Sequence, residues 1–324
     1  MSRMNWNELL NDDERPARKR DAQKPAQSGP HRGGFQKLDE LIRYRGMDQI
    51  DADQVFNPTF HSSRHEREWI LSYLGPFYED DKILDVLRMV KGGKEATVYC
   101  CAAHPDLERE LVAAKIYRPR EFRSLRKDYQ YRQGRAILDA EGKVVRDGRM
   151  LRAVRKGTQV GKEMQHTAWL QSEYQTLELL FAVGADVPEP LAFGDNTILM
   201  EYFGELDLPA PLLSAVSLRP REARLLYDRL LHDVEVMLAC RRVHGDLSAY
   251  NVLYWEGDIR LIDFPQAIDP LENRDAYAIF QRDLLRLCQY FQRYGLGQDP
   301  ARLARELWLK YGFTEGANDE QDAE

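Results

Sequence analysis

The sequence predicts an α+β protein of two lobes, and three observations carry that reading. Strand-like patterns crowd the first half and helical ones the second, rather than alternating as they would along a parallel sheet. The length, 324 residues, suits about two domains. Stretches too polar to bury a core lie near the two ends, over 12–36 and in the last ten residues. A hydrophobic fraction of 43% still permits a sizeable core beside 31% charged residues. That balance excludes a collagen, a disulfide scaffold or a wholly disordered chain. The four cysteines form no Cys-x-x-Cys pair, which points to reduced thiols and a cytoplasmic setting. No run approaches the length of a membrane span, and the first twenty residues have no apolar signal segment. A net charge of −7 argues against a protein coated overall by nucleic acid.

In chain order, a first helix is expected over 63–74, with Trp69, Ile70 and Tyr73 on its apolar side. His61 and His65 stand four apart with no third ligand, and read as surface residues. From Ile83 to Ile116 short apolar, β-branched runs broken by Gly92-Gly93 read as strands, with Cys100 and Cys101 as small core residues. Residues 144–151, VVRDGRML, carry Asp-Gly between apolar runs and read as a β-hairpin. A helix over about 162–183 ends at Gly184 and the Pro188/Pro190 pair, and 196–202 is a short strand. Ser217 is a candidate cap for a helix whose first turn includes Pro220 and whose core side carries Leu226, Leu230, Val234, Met237 and Leu238. Two further helical patterns fill about 273–311. The domains expected are a mobile extension (1–62), a first lobe (63–205) with a basic insertion (118–162), a helical lobe (206–312) and an acidic tail (313–324).

The chemistry concentrates in His244-Gly245-Asp246-Leu247-Ser248-Ala249-Tyr250-Asn251, followed by Leu261-Ile262-Asp263-Phe264-Pro265-Gln266. Asp-x4-Asn with a second aspartate 17 residues after the first is an arrangement that phosphoryl transfer requires. One carboxylate, Asp246, orients or deprotonates an acceptor hydroxyl. The Asn251 amide oxygen and the Asp263 carboxylate are hard donors suited to Mg²⁺ on nucleotide phosphates. Upstream, Gly92 and Gly93 let backbone N–H groups approach phosphate. Lys115 stands alone among apolar residues in a strand, so its ammonium needs an anionic partner. Glu173 is favoured for that role over Glu178, because it lies i+3 from Leu170 and i−4 from Leu177 on the side that faces the core.

These stretches resemble the RIO family of atypical serine/threonine protein kinases. Gly93–Tyr99 (GKEATVY), Ala113–Arg118 (AAKIYR), Met200–Leu213 (MEYFGELDLPAPLL), His244–Tyr254 (HGDLSAYNVLY) and Ile262–Ala267 (IDFPQA) look like its motifs, in order. The likeness spans about 83–295 and is nearest the first RIO branch, with a metal loop similar to that of the second. Lys91-Gly92-Gly93 departs from the family's Ser-Thr-Gly, and the 58 residues from Lys115 to Glu173 look long for it. The resemblance implies a two-lobed, protein-kinase-like fold of minimal type without an activation loop. It implies Gly92, Gly93 and Lys94 in a phosphate loop, Lys115 paired with Glu173, Met200 as gatekeeper, and the backbone at Glu201 and Phe203 on adenine. It implies Asp246 as catalytic, with Asn251 and Asp263 holding Mg²⁺ or Mn²⁺.

The function so implied is an ATP- and Mg²⁺-dependent, autophosphorylating serine/threonine kinase with a protein acceptor. Two other readings compete: an ATPase-driven binding module in small-ribosomal-subunit maturation, and a small-molecule phosphotransferase sharing the His-Gly-Asp-Leu and Ile-Asp-Phe motifs. The basic 118–162 insertion, with Arg118, Arg120, Arg123, Arg126, Lys127, Arg132 and Arg135, is either a solvated loop or a surface for RNA, a ribosomal particle or an acidic protein. No membrane partner is expected.

Overall fold

The computed structural model describes residues 56–118, 145, 147–194 and 196–314. The two polar tails and most of the basic insertion, Arg120 to Arg135 included, lie outside the described residues. The chain divides into two compact units. One holds 56–118 and 191–210 of the described residues; the other holds 145, 147–190 and 211–314.

The first unit is a five-stranded sheet with one helix. Helix α1 (Arg64–Glu79) starts at Ser63, whose hydroxyl accepts the Glu66 N–H, and it runs past the expected end at 74. Strands β1 (Ile83–Gly92), β2 (Ala96–Ala103) and β3 (Leu111–Tyr117) form an antiparallel meander. The sheet is completed by β5 (Thr197–Glu201) beside β3 and β4 (Pro190–Gly194) at the edge. Side chains alternate across a strand. Tyr99, Cys101, Ala103, Val112, Ala114 and Ile116 therefore share one face, and they pack with Ile70, Leu74 and Phe77 of α1 into a core. His61 and His65 are exposed, as read from the sequence. Cys100 and Cys101 are buried free thiols, and burial pushes the Cys100 thiol up to about 12. A two-stranded ribbon of β6 (Gly204–Glu205) and β7 (Leu208–Pro209) closes the unit, held to β1 by Arg88 donating to the Leu206 carbonyl at 2.9 Å.

The second unit is mainly helical. The Asp147-Gly148 pair does not turn a hairpin. Asp147 caps helix α2 (Gly148–Arg155), its carboxylate accepting the Arg149 and Met150 N–H groups at 2.6 and 3.1 Å. An aspartate followed by glycine satisfies helix-start chemistry as well as turn chemistry, and the helix wins here. Thr158 caps helix α3 (Gln159–Ala182), three residues before the expected start. Helix α4 (Pro220–Ala239) begins after Arg219, not Ser217. Pro220 takes the first position, and the Glu222 carboxylate accepts the Arg219 N–H at 3.3 Å. Strands β8 (Val252–Trp255) and β9 (Asp258–Leu261) form a hairpin whose turn residues, Glu256 and Gly257, both have positive φ. Helices α5 (Ala276–Gln292) and α6 (Pro300–Lys310) fill the last helical patterns. An ion network around a buried arginine ties the unit together: Arg229 of α4 bonds both oxygens of the half-buried Asp186 and meets Asp258 of β9 at 2.6 Å. Among the described residues no helix is long and apolar enough to cross a membrane.

Candidate active site

In the sheet unit the strand register places Lys115 opposite Val98 on one side and Ile198 on the other, and Ala113 opposite Met200. Lys115 and Met200 therefore share the sheet face turned away from the α1 core. The Lys115 ammonium lies 5.0 Å from the Tyr117 ring centroid. Gly92 ends β1, and the tight turn Gly93-Lys94-Glu95-Ala96 is closed by the Gly93 N–H on the Ala96 carbonyl at 2.9 Å. Glu201 ends β5, and the Phe203 carbonyl accepts the Ala210 N–H at 3.0 Å. Glu173 belongs to the other unit, where α3 buries it with Leu170 and Leu177 and leaves Glu178 exposed.

The helical unit assembles the Asp-x4-Asn loop and Asp263 around the β8–β9 hairpin. Val252 pairs with Leu261, and the Ile262 N–H donates to the Asn251 carbonyl at 2.9 Å. Asn251 and Asp263 thus flank the two free ends of one hairpin. The loop's own hydrogen bonds set Asp246 beside Asn251. The Asn251 amide donates to the Asp246 carbonyl at 2.8 Å and to its Oδ2 at 3.1 Å. With its amide nitrogen so used, Asn251 keeps its Oδ1 as the group's remaining acceptor. Asp263 sits at φ 74, a left-handed backbone that L-residues seldom adopt and that aspartate tolerates better than most.

His244 joins the catalytic-loop segment to the residue that follows β9. Its Nδ1 accepts the Asp246 N–H at 3.3 Å, and its Nε2 lies 3.3 Å from the Ile262 carbonyl. Only a neutral ring with the proton on Nε2 makes both bonds. Burial lowers the His244 pKa, against the pull of Asp263 and Asp246, and so favours that neutral form. The ring also packs on Phe264, with centroids 4.6 Å apart.

Beneath the loop, α5 presents three charged side chains within little more than one turn. Asp283 Oδ2 accepts the Gly245 N–H at 2.8 Å, and Arg282 donates to the Gly245 carbonyl. Arg286 Nη1 meets Asp246 Oδ1 at 2.6 Å. Burial pushes the Asp283 carboxyl up to about 7, opposed by Arg282 and by the N–H groups of Gly245 and Leu247. Gly245 is at φ 83, and a Cβ there would stand 2.2 Å from the Gln266 carbonyl oxygen. The contacts of Asp283 and Arg286 were not read from the sequence. Their signal was present but mute: Arg282, Asp283 and Arg286 share one side of an amphipathic helix, and nothing local says which loop that side will meet.

The donors present fit a magnesium ion: an amide oxygen and a carboxylate, both hard ligands, in the number that Mg²⁺ takes when substrate phosphates and water complete its shell. Among the described residues no group of three or more His, Cys, Asp or Glu gathers into a self-sufficient metal cage.

A five-stranded sheet unit with a lysine in the middle of β3, and a helical unit with an Asp-x4-Asn loop and an aspartate beyond the next hairpin, define a minimal protein-kinase-like α+β fold. The model of the RIO domain matches residues 142–303, half of the chain, and the chain belongs to that family. The match contains Glu173, Met200, Asp246, Asn251 and Asp263. Among its relatives, the RIO-type serine/threonine-protein kinase Rio1 of Thermoplasma acidophilum is 32% identical over 142 residues, 44% of this chain and 73% of that one. The Rio1 kinase of Haloferax volcanii is 30% identical over 214 residues, 65% of this chain and 64% of that one. The human serine/threonine-protein kinase RIO1 is 30% identical over 129 residues, 40% of this chain and 22% of the human protein. A crystal structure of the Rio2 kinase–ADP/Mg²⁺–phosphoaspartate complex from Chaetomium thermophilum aligns with 89% of this chain and 82% of that one, at TM-score 0.48 and 18% identity.

Proposed function

We propose that this chain is an ATP- and Mg²⁺-dependent serine/threonine kinase that phosphorylates itself and a protein acceptor. One observation carries the reading: a neutral His244 and the Asn251 amide hold the Asp246 loop against the hairpin end that carries Asp263. The names of its RIO-type relatives support it.

The helical unit is assigned the chemistry. Asp246 receives the hydrogen bond, and then the proton, of the acceptor hydroxyl. Asn251 and Asp263 would hold Mg²⁺, which when bound neutralises charge on the nucleotide phosphates. The sheet unit is assigned the nucleotide: Gly92, Gly93 and Lys94 against the phosphates, Lys115 on them as a fixed cation, and Met200 with the Glu201 and Phe203 backbone beside the base. Glu173 is assigned the task of orienting the strand lysine. Nothing in this set forms a covalent bond to the substrate, so the rate rests on positioning and charge neutralisation.

The test is incubation of the purified chain with γ-labelled ATP and Mg²⁺, scoring label on protein and ADP formed. The expected result is label on serine or threonine in the wild type and none in Asp246→Asn. A wild type that yields neither labelled protein nor ADP overturns the reading. ADP without labelled protein would shift the assignment to the ATPase reading.

A further inference from the structure

The catalytic loop Gly245-Asp246-Leu247-Ser248-Ala249-Tyr250-Asn251 contains no lysine or arginine. The cation that meets Asp246 comes from 40 residues away, on α5. We infer that Arg286 is a positioning residue for phosphoryl transfer: it fixes the Asp246 carboxylate in the orientation that receives the acceptor hydroxyl. This rests on the kinase reading above and deepens it.

The three α5 contacts divide by what they grip. Asp283 and Arg282 hold the N–H and carbonyl of Gly245, and so set the backbone of the loop. Arg286 touches no backbone there; it holds a side-chain oxygen of the reacting group itself. A backbone anchored only at Gly245 still leaves the Asp246 side chain its two torsions. Asn251 restrains Oδ2 through one bond at 3.1 Å, the long end of the hydrogen-bond range. Arg286 restrains Oδ1 at 2.6 Å through a charge-assisted bond, the stronger of the two. With both oxygens held, the carboxylate plane is defined before any acceptor arrives.

A purely structural ion pair is a poor account of this contact. The two side chains are 39% and 45% exposed, a setting in which ion pairs add little to stability. What the pair does restrict is the geometry of the one group whose placement sets the rate. Fixing it in advance removes an orientational cost from the chemical step and leaves nucleotide binding untouched.

The experiment compares the full-length wild type with Arg286→Met, Arg286→Lys and Asp246→Asn. Three quantities are read: label transfer from ATP with Mg²⁺, affinity for ADP with Mg²⁺ by calorimetry, and the thermal midpoint. Arg286→Met should lower kcat about 10- to 100-fold, the scale of a misplaced catalytic group. Its ADP affinity should stay within about twofold of wild type, and its midpoint within about 2 °C, as for an exposed pair. Arg286→Lys, which restores a cation on a shorter reach, should recover a substantial part of the lost kcat. The inference is overturned if Arg286→Met keeps at least half of the wild-type kcat, or if Arg286→Lys is no better than Arg286→Met. It is equally overturned if the loss of rate comes with matching losses of ADP affinity and midpoint, the mark of a structural role. An inert wild type instead overturns the kinase reading, which Asp246→Asn checks separately.

Discussion

Replacing Gly245 by alanine tests the packing on which the whole loop depends. Two separable costs follow from the structure. At φ 83 an alanine backbone is disfavoured by about 1–2 kcal/mol, whatever surrounds it. The new Cβ would also stand 2.2 Å from the Gln266 carbonyl oxygen and 2.9 Å from its carbon. An ordinary carbon–oxygen contact is about 3.3 Å, so one backbone segment must move by roughly 1 Å. Two hydrogen bonds of 3.0 Å between Val243 and Ile268 join these segments just behind the clash. Losing one or both adds about 1–3 kcal/mol. The expected total is about 2–5 kcal/mol, read as a lower midpoint in urea unfolding. Asp246 is the next residue, so a shift of that size should also lower phosphoryl transfer on the order of 100-fold. Gly312→Ala is the control: φ is 80 there with nothing within 4 Å, so it carries the backbone cost alone. If Gly245→Ala destabilises no more than Gly312→Ala and keeps its activity, the close packing of the loop on Gln266 is refuted.

Further expectations follow from the buried charges and the ion site. Asp283 titrates near 3.8 unfolded and near 7 folded, so the folded state holds the extra proton between those values. Raising the pH through that window costs stability, roughly 2–3 kcal/mol between pH 5 and 7, and the loss is complete above pH 7. Urea midpoints should therefore fall more steeply over pH 5–7 in the wild type than in Asp283→Asn; parallel slopes refute the assignment. Arg229→Met strips the cation from Asp186 and Asp258 and leaves Asp186 beside the buried Asp233. A loss of about 3–5 kcal/mol in unfolding free energy is expected, and a loss under about 1 kcal/mol would contradict the network. Asp263→Ala should abolish Mg²⁺-dependent label transfer, and excess EDTA should do the same to the wild type. Activity that survives both removes the metal-ligand assignment.

Much of the fold was legible because its cause is local. The period of Leu170, Glu173 and Leu177 marks the buried side of α3, and the short apolar, β-branched runs over 83–116 mark the strands, the one that carries Lys115 among them. The Asp-x4-Asn spacing was legible for the same reason, since the Asn251–Asp246 hydrogen bonds close within a single loop. Where two local structures compete, the sequence alone misled. Asp147-Gly148 suits a hairpin turn and a helix start alike, and Ser217 is a better cap by type than Arg219, which won because Pro220 takes the first helical position and Glu222 the third.

Long-range contact decided the rest. Which side chains of α5 would take hold of the catalytic loop could not be read from α5 or from the loop, because periodicity says which side of a helix turns inward and not what it will meet there. The order of residues thus determined most of the elements and the candidate reacting groups. The folded chain determined what holds those groups still, since a charged side chain finds its partner through space, at 2.6 Å, and not along the 40 residues between them.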